Sequence, residues 1–172
     1  MQELEKYIRT IPDFPKQGIQ FIDVTTLLLN PEAFGKSVDL LAEKFKDKAI
    51  DKVLGIEARG FIFGSVLAYK LGKGFIIVRK PGKLPAKTRS VSYELEYGTD
   101  SLEIHEDAIS SGDMILIVDD LLATGGTVSA IVKMTKDCGG IVAGCAFIIE
   151  LDFLEGRKKL EDIEITSLIH FK

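Results

Sequence analysis

The chain has 172 residues, 46% of them hydrophobic and 28% charged, with no tryptophan and a formal net charge of −4. That length suits one domain able to bury about 70% of its unfolded surface, and no apolar run approaches the roughly 20 residues that a membrane-crossing helix needs. The negative balance argues against a general nucleic-acid binder, yet leaves room for a small polyanionic ligand at a local basic cluster.

The first residues, Met1-Gln-Glu-Leu-Glu-Lys6, lack the basic start and apolar stretch of a secretory leader, so a cytoplasmic location is expected. Leu4, Tyr7, Ile8 and Ile11 predict a short helix ending before Pro12. Pro15 and Gly18 punctuate a loop over 13–21, and Phe21, Ile22 and Val24 form a short extended piece. Asn30-Pro31 is a helix start, an amide cap followed by proline at the first helical position. Phe34, Val38, Leu41 and Phe45 then repeat on one face.

Val53 to Glu57 reads as the first core strand, Phe61 to Leu71 as a helix ended by Gly72, and Phe75 to Val78 as the second core strand. Arg79-Lys-Pro-Gly-Lys-Leu-Pro-Ala-Lys-Thr-Arg89 carries five cations and no acid. After it Val91, Tyr93, Leu95 and Tyr97 alternate with polar residues, Gly98 to Asp100 turns the chain, and Leu102 and Ile104 alternate again, which predicts a hairpin with one buried face. Met114 to Val118 is the third core strand. The helical spacing of Val128, Ile131, Val132 and Thr135 follows, stopped at Gly139-Gly140. Ile141 to Ile149, a helical turn over 156–160 and Ile163 to Phe171 complete the chain. Strands alternating with helices predict an α/β fold, an open, mainly parallel twisted sheet with helices on both faces. Ligands bind such sheets beyond the carboxyl ends of their strands. The two cysteines, Cys138 and Cys145, are too few for a disulfide scaffold and lack zinc-ligand spacing, so both read as structural.

The most informative stretch is Asp119-Asp-Leu-Leu-Ala-Thr-Gly-Gly-Thr127. It has neither the lysine of a phosphate-binding Walker loop nor the glycine spacing of a dinucleotide fingerprint. Small residues ahead of a helix N-terminus make an anion cradle, because the first helical amides lack internal partners and carry partial positive charge. Two carboxylates beside that cradle would repel a phosphate unless they faced another part of the ligand, and ribose hydroxyls are suitable acceptor-seeking partners. A 5-phosphoribosyl group satisfies both halves: phosphate on Ala123, Thr124, Gly125, Gly126 and Thr127, hydroxyls on Asp119 and Asp120. The plainer reading is that the acids cap the turn and the glycines relieve sterics. Because adjacent strand residues face opposite ways, the two acids cannot share one hydroxyl unless the backbone turns.

Val118 to Thr127 closely resembles the phosphoribosyl diphosphate signature of the type I phosphoribosyltransferases. Phe14-Pro-Lys-x-Gly-Ile-x-Phe21, Asp23, Glu57-Ala-Arg-Gly-Phe61, Arg79-Lys-Pro-Gly-Lys-Leu-Pro85 and Tyr93-x-Leu-Glu-Tyr-Gly98 extend the resemblance over nearly the whole chain, toward members that act on adenine. The resemblance implies a purine salvage enzyme that moves the 5-phosphoribosyl group from phosphoribosyl diphosphate to adenine, giving AMP and diphosphate. It implies Mg2+ held mainly by phosphoribosyl diphosphate and water, with no direct protein ligand, and a homodimer. It also implies one domain over 1–172, with a hood from 1–30 and the C-terminal segment and a mobile two-stranded flap over about 80–106.

Carried onto this sequence, the resemblance places Arg59, Arg79, Lys80, Lys83 and Tyr97 on the diphosphate, with Arg79 or Lys80 reaching across to a partner's site. Phe21 stacks on adenine, and Glu96 serves as general base or proton relay. An often cis peptide is implied at or beside Glu57–Ala58. Each residue also has a plainer reading: a solvated cation for Arg59 and the basic run, a solvent-facing acid for Glu96, ordinary core for Phe21. Two departures stand out, Ala58 where the family usually has serine and Ile22 where it commonly has arginine. A different class, a non-catalytic sensor of phosphoribosyl diphosphate on the same fold, usually adds a DNA-binding segment or loses the flap; the stretch before Asp13 is too short for a helix-turn-helix and the basic run and hairpin are intact.

Overall fold

A computed structural model describes residues 2–95 and 98–172. Its elements are α1 (Gln2–Glu5), β1 (Arg9–Pro12), β2 (Gln20–Asp23), α2 (Thr25–Leu29), α3 (Pro31–Phe45), β3 (Lys52–Ile56), α4 (Arg59–Leu71), β4 (Gly74–Val78), β5 (Thr88–Leu95), β6 (Gly98–His105), β7 (Met114–Leu122), α5 (Gly126–Asp137), β8 (Ile141–Leu151) and β9 (Ile165–Phe171), with short helical turns at Asp152–Leu154 and Gly156–Lys159. Five strands form a parallel sheet in the order β4-β3-β7-β8-β9, and β1-β2 and β5-β6 are separate antiparallel pairs.

Strand alternation divides the core in two. Leu116, Val118, Ala146 and Ile148 point to the face covered by α3 and α4, where they meet Val38, Leu41, Phe45, Phe63 and Leu67. Ile115, Ile117, Cys145 and Phe147 point to the other face, against Val128 and Ile131 of α5 and Leu102 and Ile104 of the hairpin. The period of two along β7 and β8 thus gives each strand two buried faces, as the sequence predicts. Burial pushes the Cys145 thiol up to about 12, so at neutral pH it packs as a small apolar side chain.

Local signals set most boundaries. Asn30 Oδ1 accepts from Ala33 N at 2.9 Å, capping α3 with Pro31 in its first turn, and Gly72 ends α4 in the left-handed conformation at φ 65°. Three expectations need correction. The predicted N-terminal helix stops at Glu5, and Arg9–Pro12 pairs with Gln20–Asp23 instead. So short a helix is marginal alone, whereas the ladder is locked by buried Asp23, which accepts from the Arg9 guanidinium and from Thr25 N at 2.9 Å. Gly98 to Asp100 does not turn the chain but opens β6, with Asp100 opposite Tyr93. Finally, β7 does not end at Val118: pairing with the long β8 continues to Leu122 opposite Glu150.

Candidate functional site at the β3–β7 crevice

The strand order reverses beside β3: β4 lies on one side of it, while β7, β8 and β9 extend on the other. The helices after β3 and β7 cover opposite faces, so a crevice opens between the carboxyl ends of these two strands, the expected ligand position in such sheets. Pairing of β3 with β7 ends at Gly55 opposite Val118. Asp119 and Asp120 therefore lie just past the end of the β3–β7 pairing. Although successive strand residues face opposite ways, both line the same cavity of about 310 Å3, together with Glu57, Ala58, Arg59, Lys80, Tyr93 and Thr127.

Close backbone approach makes this geometry possible. A Cβ on Gly60, in the first turn of α4, would come within 2.8 Å of Val118 O and 2.9 Å of Asp119 Oδ1. The missing side chain lets the start of α4 press against the end of β7, setting Arg59 beside the acids. Arg59 Nε donates to Asp120 Oδ2, and its guanidinium lies 5.7 Å from the centre of the Phe21 ring, a cation–π contact. Phe21 meets Phe14 edge to face at 5.1 Å. The Glu57–Ala58 peptide is cis, as is Phe14–Pro15.

The loop after β7 forms a second hollow of about 80 Å3, lined by Asp119 and residues 121–128. Gly125 is the N-cap of α5 at φ 76°, no side chain caps the helix, and its first turn holds no acid. The leading amides thus have no capping side chain, and with the positive end of the helix dipole they make an arrangement that favours an anion. The loop after β4 supplies the other cations. Arg79 Nε and Nη2 each donate to Glu57 at 3.2 Å, and Lys80 N donates to Glu57 Oε2 at 2.8 Å. The Lys80 ammonium pairs with Asp100, which also accepts from Tyr93 Oη at 3.1 Å. Both cations thus pair with acids of the same chain. Lys83 is exposed and does not line the cavity. Arg79 and Glu103 exchange backbone hydrogen bonds of 2.9 and 2.7 Å, tying β6 to the end of β4. Leu102 and Ile104 are buried, so the base of the hairpin packs into the core. Glu96 and Tyr97 lie outside the described residues.

Of the residues expected at the site, Arg59, Lys80, Asp119, Asp120 and Thr127 share the main cavity, and 123–127 line the adjoining hollow. Phe21 reaches the cavity through Arg59. Sequence reasoning assigned no role to Glu57, although it stands inside a quoted motif, and it placed Asp100 in a turn. These two acids brace the cations. Ile22 is half-buried and packs against the core. Among the described residues, Glu150, Asp152 and His170 are a trio with metal-ligand spacing, but none lines the cavity and both Glu150 oxygens accept from Arg157.

The acids titrate in opposite directions. The Arg79 guanidinium and the Lys80 amide hold Glu57 below its ordinary value, and the Lys80 ammonium does the same for Asp100. Their contribution to stability is present above the ordinary carboxylate range and is lost as pH falls through their folded values. Burial, then the Asp120 carboxylate, pushes Asp119 well above its ordinary 3.8. Such a group stabilises the fold fully below its unfolded value and loses that contribution as pH rises through the folded one. Asp119→Asn keeps the acceptor that receives Asp120 N at 2.9 Å while removing the charge. Without substrate, this variant should therefore melt above the parent at pH 8, with the gap closing toward pH 4; a gap independent of pH would refute a strained Asp119 charge.

The chain matches the phosphoribosyl transferase domain family over residues 23–171. It is 60% identical over 171 residues to the adenine phosphoribosyltransferase of Geobacter metallireducens, covering 99% of this chain and 100% of that one. A crystal structure of adenine phosphoribosyltransferase from Thermoanaerobacter pseudethanolicus superposes with a TM-score of 0.96 at 55% identity, over 99% of both chains. The Saccharomyces cerevisiae adenine phosphoribosyltransferase, solved with an imino-altritol bisphosphate and adenine, superposes with a TM-score of 0.91 at 42% identity, over 97% of both chains. No helix among the described residues is long and apolar enough to cross a membrane.

Proposed function

The chain belongs to the phosphoribosyl transferase family, and from that premise we propose that it transfers the 5-phosphoribosyl group of phosphoribosyl diphosphate to adenine, releasing AMP and diphosphate in purine salvage. One observation carries this reading: adjacent carboxylates stand between an uncapped helix N-terminus and a guanidinium at the crevice where the sheet reverses. An anion cradle, a hydroxyl-binding pair and a cation for a leaving group are the three parts that such a donor requires.

The 5-phosphate sits on Ala123, Thr124, Gly125, Gly126 and Thr127, where helix amides substitute for water. Asp119 and Asp120 accept the ribose hydroxyls. Arg59, Arg79, Lys80, Lys83 and Tyr97 attend the diphosphate, and Phe21 stacks on the adenine ring. Before substrate arrives, Asp120, Glu57 and Asp100 hold three of these cations. Diphosphate oxygens replace those carboxylates, so the cations move little, and Asp120 is freed toward the ribose. As the C1–O bond breaks, positive charge grows on the ribose and negative charge on the diphosphate. Preorganised charges lower that barrier without reorganising at the moment of reaction, and the hairpin excludes water from the reacting carbon.

Magnesium prefers oxygen ligands and commonly binds through one or two carboxylates together with substrate phosphates. The Asp119 and Asp120 carboxylates on the cavity wall fit that preference through water, with the donor's own oxygens as the direct ligands. Bound with the donor, Mg2+ would neutralise charge on the diphosphate. We read the enzyme as cytoplasmic and homodimeric. The dimer is supported by Ile62, Val66 and Tyr69, which share one face of α4 and are presented to solvent at exposures of 38%, 37% and 88%, as apolar residues at an interaction surface are.

The test supplies phosphoribosyl diphosphate, Mg2+ and a panel of adenine, hypoxanthine and xanthine. AMP formed from adenine is the expected result. Its absence refutes the assignment, and donor binding without turnover would make the chain a sensor. Glu96 is the proposed proton relay at the purine. Glu96→Leu should lower kcat by about a hundredfold, within the range usual for general acid–base groups, and change either KM by less than threefold. An unchanged kcat removes Glu96 from proton transfer.

A further inference from the structure

The chain after β8 folds back onto the hollow that precedes α5. Asp152–Leu154 makes one helical turn, Glu155 adopts the left-handed conformation at φ 52°, and Gly156–Lys159 makes a second turn. Gly156 is buried, and its backbone presses on the loop after β7. A Cβ on Gly156 would lie 2.2 Å from Ala123 O and 3.0 Å from Gly125 N, and a Cβ on Gly125 would lie 2.4 Å from Gly156 O. Two glycines thus allow two backbones to touch where no side chain fits.

The turn is also locked from behind. Arg157 Nε and Nη2 donate to the two oxygens of Glu150 at 2.5 and 2.7 Å. Glu150 is 3% exposed and sits opposite Leu122, the last residue of β7 before the loop. Arg157 Nη1 also approaches Ile165 O on β9 at 3.4 Å, and Leu160, just past the turn, is buried in the core. A bidentate guanidinium–carboxylate pair fixes orientation as well as distance. Removing one partner of such a buried pair leaves an uncompensated charge and is strongly destabilising.

We propose that Gly156 and the Arg157–Glu150 pair are positioning residues for the anion loop: Gly156 is the floor that sets the spacing of the 123–127 amides, and the ion pair holds the floor in place. None of the three touches the reacting atoms. They act on the affinity for the 5-phosphate end of the donor, and this rests on the reading of 123–127 as the phosphate loop.

Steady-state kinetics with adenine and phosphoribosyl diphosphate, calorimetry with ribose 5-phosphate alone, and melting curves test the assignment. Gly156→Ala should raise KM for phosphoribosyl diphosphate and Kd for ribose 5-phosphate at least tenfold, with KM for adenine within twofold. Arg157→Ala should act similarly, and Arg157→Lys should recover part of the loss by meeting one carboxylate oxygen. Should Arg157→Ala fail to fold, Glu150→Leu combined with Arg157→Met removes the pair without leaving a buried charge, and the same rise is expected. A Gly156→Ala enzyme with parental KM for the donor overturns the proposal. So does an equal rise in both KM values together with a lowered Tm, the mark of a merely structural role. A parent that makes no AMP refutes the functional reading instead, while the ribose 5-phosphate arm still reports on the loop.

Discussion

Asp120→Asn is expected to lower kcat/KM for phosphoribosyl diphosphate by roughly a hundred- to a thousandfold, the largest loss from any isosteric change at the site. Asp120 is buried, pairs with Arg59 and shares the cavity with Thr127. In the proposed complex it exchanges that partner for a ribose hydroxyl. Charge-assisted hydrogen bonds are worth about 1.5–3 kcal/mol each. Neutralising Asp120 weakens the bond to the ribose and removes a negative charge beside the positive charge that grows on the ribose, a combined loss of about 3–4 kcal/mol on that scale, equivalent to the stated range. Initial rates at varied donor concentration measure it, with calorimetry to confirm weaker donor binding. A loss below tenfold would remove Asp120 from the ribose.

Gly60→Ala is expected to damage both stability and turnover, by about 1–3 kcal/mol of unfolding free energy, as overpacking usually does, and by at least a hundredfold in kcat/KM. The added methyl would meet a backbone oxygen at 2.8 Å and the Asp119 carboxylate at 2.9 Å. A backbone atom cannot rotate away, so α4 must retreat from β7, carrying Arg59 with it. The informative control is Gly35→Ala, at an exposed position inside α3 with open space around the would-be Cβ. There the same substitution should raise stability by about 0.4–1 kcal/mol, through helix propensity and a less flexible unfolded chain, and leave kinetics unchanged. Urea unfolding and donor kinetics on the two variants separate the effects. Equal behaviour would show that the close approach at Gly60 is unimportant.

Much of this molecule is readable residue by residue because the forces involved are local. The cap at Asn30-Pro31, the left-handed stop at Gly72 and the alternating apolar residues of β7 and β8 each depend on neighbours within a few positions, so spacing and residue type suffice. The same holds for the loop proposed to hold the phosphate: Ala123 to Gly126 leave room for a close ligand approach because those residues carry little bulk, and the acids before them disfavour a bare phosphate as partner. What the sequence could not decide depends on elements far apart along the chain. Arg9–Pro12 became a strand because Gln20–Asp23 lay alongside it, against a helical spacing pattern. Asp119 and Asp120 remained in β7 because β8 kept pairing with Asp119, Leu121 and Leu122, and they face one cavity because the β3 pairing ends first. The carboxylates that hold the cations, Glu57 for Arg79 and Asp100 for Lys80, are about twenty positions from their partners. Gly156 reaches Ala123 across an entire helix and strand. Composition and pattern by themselves determined an α/β sheet with a small-residue loop and a pair of acids before it. Tertiary structure alone decided which cations meet which acids and what the loop rests on, because ion pairs and backbone contacts between distant segments leave no periodic trace in the chain.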